Sequence, residues 1–403
     1  MGNLKDRHIL LGVTGSIAAF KAVDLASKLT QLGAQVDVIL TPAAEKFITP
    51  LTFQSVSGRR AYTDVDLWGG EANILHIGLS HGAHLLVIAP CTANTISKLA
   101  YGAADNLLTI TALACKCPLL IAPAMDGGMF DADVTQANLR ILTERGAYVA
   151  GPVEGRFASG LIGKGRLIEP AELIGHIRFV LGRNGRLAGK QVLVTAGGTQ
   201  EPLDPVRVIT NKSSGRQGYA LAQAAIDSGG QVVLITTPTS LTAPVGARVI
   251  EAETARQMYK TVLSESVKAD VLIMAAAVAD FRPKKTARNK MKKREGIPQI
   301  ELEETEDILK AVAENRSGRK RPHVVVGFAA ESRDLLSNAS EKLKSKKMDF
   351  IVANDISSDD AGFGVETNRV TLLFPNGKKE SLPLMSKAEV AEAIIAHIAE
   401  LLE

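Results

Sequence analysis

Short, almost wholly apolar runs recur along the chain, and each leads into a turn and then into a stretch with apolar residues at helical spacing. Such runs cover residues 9–13, 36–40, 85–89 and 119–122. Runs this short without polar alternation predict strands buried on both faces, the condition found in parallel sheets covered by helices. Residues 17–32 carry helical spacing, with Gly33 placed as a C-cap. The pattern restarts at residue 190. It predicts a strand running into Gly197-Gly198, a helix over 218–227, and strands at 232–236, 271–275, 324–328 and 350–353. Near the end, Asn376-Gly377 predicts a hairpin turn, and 387–402 a last helix. The same opening, strand then glycine turn then helix then strand, thus occurs twice. The expected fold is α/β, with two Rossmann-like domains whose mainly parallel sheets are flanked by helices. The glycine-rich polar stretch Gly182-Arg-Asn-Gly-Arg186 sets the expected boundary, giving domains 1–186 and 187–403.

Bulk properties sharpen this only slightly. A chain of 403 residues exceeds one ordinary core and fits two domains of roughly 200 residues. Aromatic residues are 4% while alanine and glycine abound, which suits helices packed closely on sheets. A net charge of +4 is too mild to indicate a nucleic-acid binder. Three cysteines, Cys91, Cys115 and Cys117, with no secretory leader, lead us to expect reduced thiols and a cytoplasmic protein. No apolar run is long enough to span a bilayer, so no membrane partner is expected.

Candidate chemistry in the first half starts at Gly12-x-x-Gly15-x-x-Ala18, a strand-to-helix turn of small residues. Backbone N–H groups there can approach a phosphate, with Ser16 adding a hydroxyl, or the turn serves packing alone. The spacing is not the dinucleotide G-x-G-x-x-G pattern. Ala89-Pro-Cys-Thr-Ala-Asn94-Thr95 lies where open α/β sheets bind ligands, and reads equally as a helix start capped by Thr92 or Asn94. His76, taken alone, is a surface or satisfied helix histidine; zinc with His81 and His84 does not match common ligand spacings. Cys115 and Cys117 read as structural thiols.

These segments, with Thr49-Pro-Leu-Thr-Phe53, Ala104-Asp-Asn-Leu107 and Pro123-Ala-Met-Asp126, occur in an order that resembles the homo-oligomeric flavin-containing cysteine decarboxylases over about residues 5–180. The resemblance implies a flavodoxin-like domain with FMN near Gly15, Ser16, Thr41, Thr92 and Asn94, and His76 as catalytic base. It also implies the chemistry. A cysteine carboxylate lacks an adjacent electron sink, and flavin oxidation of the thiol carbon to a thioaldehyde provides one. A histidine titrating near neutrality suits the proton released. Two positions depart from the family pattern. Asp126 stands where the family has Asn, and Ser159 where it often has Cys. An ionised Asp repels a substrate carboxylate, so Asp126 is expected to be protonated or to hold its neighbours instead. Ser159 is expected to position substrate.

In the second half, Thr195-Ala-Gly-Gly-Thr199, Asp204-Pro-Val-Arg207 and Asn211-Lys-Ser-Ser-Gly215 read as a phosphate cradle or as a long irregular turn. Ala275-Ala-Ala-Val-Ala-Asp280 ends a buried strand with room for a flat base. The run from Lys284 to Arg294 is a solvated charged face or a loop that neutralises a polyphosphate. Lys342 and Lys346 lie four apart and share a helix face. With Gly327-Phe-Ala-Ala-Glu331 and Ala353-Asn-Asp355, this set is similar to the phosphopantothenoylcysteine synthetase family over about 188–400. The similarity implies CTP bound by Asp280, Lys290, Phe328, Lys342 and Lys346, Mg2+ on the leaving phosphates, and Asn211 against an acyl-cytidylate. Glu304-Thr-Glu-Asp307-Ile308 departs from the family's Asn-Pro-Asp-Ile, which puts the local nucleotide contacts in question.

The two resemblances imply consecutive steps of coenzyme A biosynthesis, in a cytoplasmic homo-oligomer with trimeric flavoprotein and dimeric ligase domains. The expected partners are small substrates: 4′-phosphopantothenate, cysteine, CTP and 4′-phosphopantothenoylcysteine. A nicotinamide oxidoreductase lacks its fingerprint here. A flavin prenyltransferase leaves the second half unexplained. A non-catalytic regulatory flavoprotein joined to a ligase is the remaining rival, suggested by Asp126 and Ser159.

Overall fold

The computed structural model describes residues 2–68, 74–156, 160–293, 297–319, 321–331, 334–355 and 365–403. Contacts divide the chain into two compact units, Asn3–Gly182 and Arg183–Glu403.

In the first unit, β1 (His8–Val13), α1 (Ala19–Gln31), β2 (Gln35–Leu40), α2 (Pro50–Ser57) and β3 (Ala61–Tyr62) come first. They are followed by α3 (Leu75–Gly82), β4 (Leu85–Cys91), α4 (Ala93–Tyr101), α5 (Leu107–Ala114) and β5 (Leu119–Pro123). Then come α6 (Gly127–Asp131), α7 (Asp133–Glu144), β6 (Tyr148–Val149), the pair β7 (Val153–Arg156) and β8 (Ile162–Arg166), and α8 (Pro170–Gly182). The sheet runs β3-β2-β1-β4-β5-β6, and every pairing in it is parallel. Apart from the two-residue β3 at its edge, this is the flavodoxin-like order.

Strand alternation explains the uninterrupted apolar runs. Leu11, Val13, Val36, Val38 and Val87 point to one face, against Leu25 and Leu29 of α1 and Ile177 of α8. Their neighbours Leu10, Ile39, Leu86 and Ile88 point to the other, against Ile96 of α4, Leu108 of α5 and Leu142 of α7. Both faces need apolar residues, so these dominate the strands, with buried Asp37 of β2 an exception that the structure neutralises.

The second unit opens with β9 (Gln191–Ala196), the antiparallel pair β10 (Gln200–Pro202) and β11 (Val208–Thr210), then α9 (Arg216–Asp227), β12 (Gln231–Thr236) and β13 (Arg248–Glu251). It continues with α10 (Ala255–Ser266), β14 (Val271–Met274), the pair β15 (Phe281–Pro283) and β16 (Leu302–Glu304), α11 (Ile308–Arg319), β17 (Val324–Glu331), α12 (Leu335–Ser345) and β18 (Phe350–Asp355). It closes with β19 (Thr367–Asn368), β20 (Val370–Leu373), β21 (Lys379–Ser381), β22 (Met385–Ser386) and α13 (Lys387–Leu402). The main sheet runs β13-β12-β9-β14-β17-β18-β20-β21. It is parallel through β18; β20 and β21 form an antiparallel hairpin at one edge, turning at Gly377 with φ +85°. Asn376-Gly377 is thus the hairpin turn that the sequence predicts.

Helix α9 packs unusually close to β9. A Cβ on Gly218 would lie 2.9 Å from both the Ala196 Cα and the Thr195 carbonyl oxygen. Helix α13 starts at a capping box in which the Ser386 hydroxyl accepts from the Glu389 N–H. Among the described residues, no helix is long and apolar enough to cross a membrane.

One polar cluster ties the amino ends of β1 and β2. Asp37, almost fully buried, accepts from the Arg59 guanidinium at 2.8 and 2.9 Å and lies 2.6 Å from His8 Nε2. The hydrogen bond that the His8 ring donates to Asp37 holds His8 above the ordinary histidine range. Burial alone would raise Asp37, but the bonds from His8 and Arg59 outweigh it and hold its carboxyl down. Asp37→Asn should therefore cost about 2–3 kcal/mol, because a charge partner is lost while Arg59 stays partly solvated. The sign with pH follows from both groups. The Asp37 contribution is present above its unfolded value of 3.8 and fades in acid; the His8 contribution is present below 6.5 and fades as pH rises through its raised folded value. Urea unfolding of parent and variant should show the largest gap between about pH 4 and 6.5, narrowing on either side. A gap independent of pH would mean that the cluster is not ionic.

Candidate functional sites

In each unit a cavity opens at the carboxyl ends of the strands where the strand order reverses, the position at which open α/β sheets bind ligands. In the first unit this lies between β1 and β4. A cleft of about 600 Å3 there is lined by Gly15, Ser16, Thr41, Thr92 and Asn94, the five residues expected around FMN.

Its walls are built from buried hydroxyls. Thr14 is buried; its Oγ1 donates to the Pro90 carbonyl at 2.7 Å and accepts from the Thr92 N–H at 3.1 Å. One side chain thereby joins the two loops that form the cleft. Thr92 is the cap of α4, accepting from the Thr95 N–H, which decides between the two caps that the sequence allows. Thr41 accepts from the Ala44 N–H at 3.3 Å. Gly15 sits against that turn: a Cβ there would lie 2.5 Å from the Ala43 Cβ. The turn therefore needs glycine for packing, whatever else it binds.

Asp105 and Asn106 of the Ala104-to-Leu107 segment line the cleft, together with Asp64 and Lys98, which sequence reasoning missed. Lys98 pairs with Asp105 at 2.7 Å and holds that carboxyl below its usual range. Asn106 caps α5 in a capping box with Thr109, a signal present in Asn106-Leu-Leu-Thr109.

Two expected catalytic positions, His76 and Asp126, fall elsewhere. His76 is half-buried on α3, outside the lining of this cleft. Asp126 is exposed and caps α6, its Oδ1 accepting from the Gly128 N–H at 3.0 Å. Of the two roles open to it, this is the one that holds its neighbours. Ser159 lies outside the described residues. The Cys91 thiol is fully buried, and burial pushes it well up, which makes it inert. Cys115 and Cys117 hydrogen-bond each other; the bond raises Cys115 and lowers Cys117.

In the second unit two cavities, of about 350 and 400 Å3, share Ala276, Val278, Asp280, Phe328 and Lys342 in their walls. The first includes the loop from Asn211 to Gly218, and the second Thr305, Asp307 and Lys346. The segment after β14 is held to β9 by the same device as in the first unit. Buried Thr195 accepts from the Ala276 N–H at 3.1 Å, and buried Thr199 from the Ala279 N–H at 2.9 Å. Asn211 donates its amide to the Ala277 carbonyl at 3.1 Å.

Lys342 and Lys346 do reach one cavity, as their spacing predicts. Lys346 pairs with Asp307, so the departing segment supplies a partner to an expected nucleotide ligand. Lys290 is exposed and lines neither cavity. Asp204 explains its neighbourhood: the carboxylate accepts from Val206 and Arg207 N–H at 2.8 and 2.9 Å and from Met291 N–H at 3.2 Å. Those backbone bonds hold Asp204 below the usual range. The Asp204-to-Arg207 motif thus anchors the lysine-rich loop, and only the Asn211-to-Gly218 loop lines the cavity. Buried Asn354, from the Ala353-to-Asp355 motif, also lines the first cavity, as do buried Asn368 and Lys387, which sequence reasoning missed. Burial lowers the Lys387 ammonium's pKa.

Thr14→Val should leave the Thr92 N–H and the Pro90 carbonyl without their partner, at a cost of about 1–3 kcal/mol. Urea unfolding followed on the first unit would show it, and an unchanged midpoint would mean that the two loops hold together without that hydroxyl.

Comparison with known proteins agrees with this two-part layout. The Flavoprotein family model matches residues 1–181, and the model of the DNA/pantothenate metabolism flavoprotein C-terminal domain matches 187–402. Over 401 residues the chain is 45% identical to the coenzyme A biosynthesis bifunctional protein CoaBC of Bacillus subtilis (strain 168), covering 99% of this chain and 98% of that protein. It is 41% identical over 404 residues to the protein of the same name from Vibrio vulnificus (strain YJ016), covering 100% of both. A crystal structure of the C-terminal domain of a coenzyme A biosynthesis bifunctional protein CoaBC is 38% identical, covers 54% of this chain and 98% of its own, and has a TM-score of 0.46. The chain belongs to the family of coenzyme A biosynthesis bifunctional proteins.

Proposed function

We propose that the second unit is a CTP-dependent ligase that joins 4′-phosphopantothenate to cysteine, and that the first unit is an FMN-dependent enzyme that decarboxylates the product to 4′-phosphopantetheine. What carries this reading is that each unit gathers its own expected set at its own strand-order reversal. Gly15, Ser16, Thr41, Thr92 and Asn94 share one cleft, and Asp280, Phe328, Lys342 and Lys346 share another.

The first cleft fits FMN in size and in donors. Its volume of about 600 Å3 is in the range of small-molecule sites, and it presents hydroxyls and an amide beside a short polar turn. FMN, when bound, supplies the electron sink that decarboxylation requires. The Gly15-Ser16 turn receives its phosphate, and Thr92 and Asn94 orient it. His76 accepts the proton released when the substrate is oxidised. His76 lies outside the cleft of its own chain, so in this proposal it serves a cleft shared with a second copy, the first units being trimeric and the ligase units dimeric. Ser159 positions substrate, and Asp126 holds the α6 turn.

In the ligase, Phe328 packs on the base, Asp280 accepts from the nucleoside, and Lys342 and Lys346 receive phosphates. Asn211 holds the acyl group, and Lys290 reaches the α-phosphorus from its loop. No cluster of three or more potential metal ligands occurs among the described residues. That fits a Mg2+ carried chiefly by the nucleotide's phosphates rather than by a protein cage. The reactants are cytoplasmic metabolites, and we place the enzyme there.

Incubation with phosphopantothenate, cysteine, CTP and Mg2+ should yield 4′-phosphopantetheine. Accumulation of 4′-phosphopantothenoylcysteine instead would make the first unit a non-catalytic flavoprotein. His76→Asn should stop CO2 release by at least about 100-fold while leaving ligation within about twofold; normal CO2 release takes His76 out of the mechanism.

Lys290→Gln should slow pyrophosphate release from CTP and phosphopantothenate, without cysteine, by about 100-fold or more, and Lys293→Gln by less than about threefold. Equal mild losses would reduce the loop to diffuse attraction.

A further inference from the structure

Helix α1 leaves the Gly15-Ser16 turn with a cation in its first turn. Lys21 is the third residue of that helix, where the open amino-end N–H groups favour an acid, and the turn holds none. The side chain does not escape to water: Lys21 is 8% exposed. A buried ammonium in that position is costly unless it is paired and hydrogen-bonded.

Both of its partners lie on a segment far along the chain. Nζ donates to the Leu167 carbonyl at 3.0 Å and to Glu169 Oε1 at 2.8 Å. Glu169 also accepts from Arg166 at 3.0 Å, and the bond from Lys21 is the main cause that holds its carboxyl below the usual range. Leu167 and Ile168 are buried in the core beside α1. The end of β8 is therefore pinned to α1.

Strand β8 in turn holds part of the wall of the first cleft. The Met125 N–H donates to the Gly165 carbonyl at 3.0 Å. The two backbones are so close that a Cβ on Gly165 would lie 2.3 Å from the Met125 carbonyl oxygen. Lys164 sits over the Phe130 ring of α6, 5.6 Å from its centroid. Ala124, Met125 and Met129 line the cleft, and so do Gly15 and Ser16, just before α1; Lys21 itself does not. Lys21 thus joins, from behind the cleft, the turn expected to hold the cofactor and the strand that carries Met125.

We propose that Lys21 is a positioning residue for the decarboxylation: by pinning β8 to α1 it fixes the Ala124-to-Met129 wall relative to the cofactor turn. This rests on the FMN-dependent reading of the first unit above. A substrate oxidised at one carbon must present that carbon to the flavin, and a displacement of about 1 Å can lower a rate on the order of 100-fold. An ammonium suits the bracket because its donors engage a carbonyl and a carboxylate at once, and both acceptors belong to the segment being held.

The test uses the full chain with Lys21→Met, Glu169→Ala and Glu169→Gln. Lys21→Met should lower kcat for CO2 release, per bound FMN, at least about tenfold, with KM changed less than kcat. FMN content and pyrophosphate release by the second unit should stay within about twofold of the parent. Glu169→Ala should lose about threefold or more, and Glu169→Gln, which returns an acceptor to Nζ, should recover most of that loss. Hydrogen exchange reads the wall without turnover: in Lys21→Met it should speed at least about tenfold at the Met125 amide and stay unchanged in β1. Full kcat per bound FMN in Lys21→Met overturns the proposal, as does an unchanged Met125 amide. Loss of FMN overturns it too, because the lysine then supports the cofactor turn alone. Where Lys21→Met does not fold, the Glu169 pair decides, and parental activity in Glu169→Ala sinks the idea. A parent chain that binds FMN but releases no CO2 from 4′-phosphopantothenoylcysteine removes the decarboxylase reading itself, and this role with it.

Discussion

Everything at both sites depends on one constraint, the burial of parallel strands on both faces. Such strands satisfy their backbone groups laterally and leave polar side chains no place except the ends. At the carboxyl ends, where helices leave for opposite faces, the loops part and a cavity results. The two units solve the resulting problem of loop placement alike. A buried threonine at the end of the central strand reaches across to the loop of its neighbour: Thr14 to Pro90 and Thr92, Thr195 and Thr199 to Ala276 and Ala279. A hydroxyl is the smallest group that can both donate and accept, so it fits where a longer side chain would fill the cavity it frames.

Electrostatics at the sites is arranged with similar economy. Lys98 is paired with Asp105, Lys346 with Asp307 and Arg216 with Glu366. A cation facing a cavity is thus already compensated before any anionic ligand arrives. Binding must exchange one partner for another, which lowers the net gain per contact but avoids the cost of a bare charge held beside low-dielectric walls. Lys387 is more deeply buried than these, and desolvation there outweighs the help from Glu366 and lowers its pKa.

Local patterns made most of this legible in sequence. Apolar runs marked the strands, and glycine turns marked where they end. The spacing of Lys342 and Lys346 placed them on one cavity because a helix repeats every 3.6 residues. Where burial comes from distant contacts, sequence was silent. Nothing in the local pattern marks Asn368, whose buried side chain meets Gln217 from a distant helix. Asp204 misled in the opposite way. Its motif looks like part of a phosphate cradle, yet its carboxylate is spent on Val206, Arg207 and Met291 N–H groups. An acidic residue among glycine loops is as good an acceptor for the chain's own amides as an obstacle to phosphate, and spacing cannot tell the two apart.

Asp126 shows the same ambiguity, with a helix cap as the role that its geometry displays. As a group facing a substrate carboxylate it would need a proton to avoid repulsion. As the cap of α6 it needs none, because an ionised carboxylate is the better acceptor for the Gly128 N–H. Asn and Asp are near equals as caps, so a position whose main duty is to start that helix tolerates either. One carboxylate oxygen is engaged by the backbone, and Met125 beside it lines the cleft of this unit.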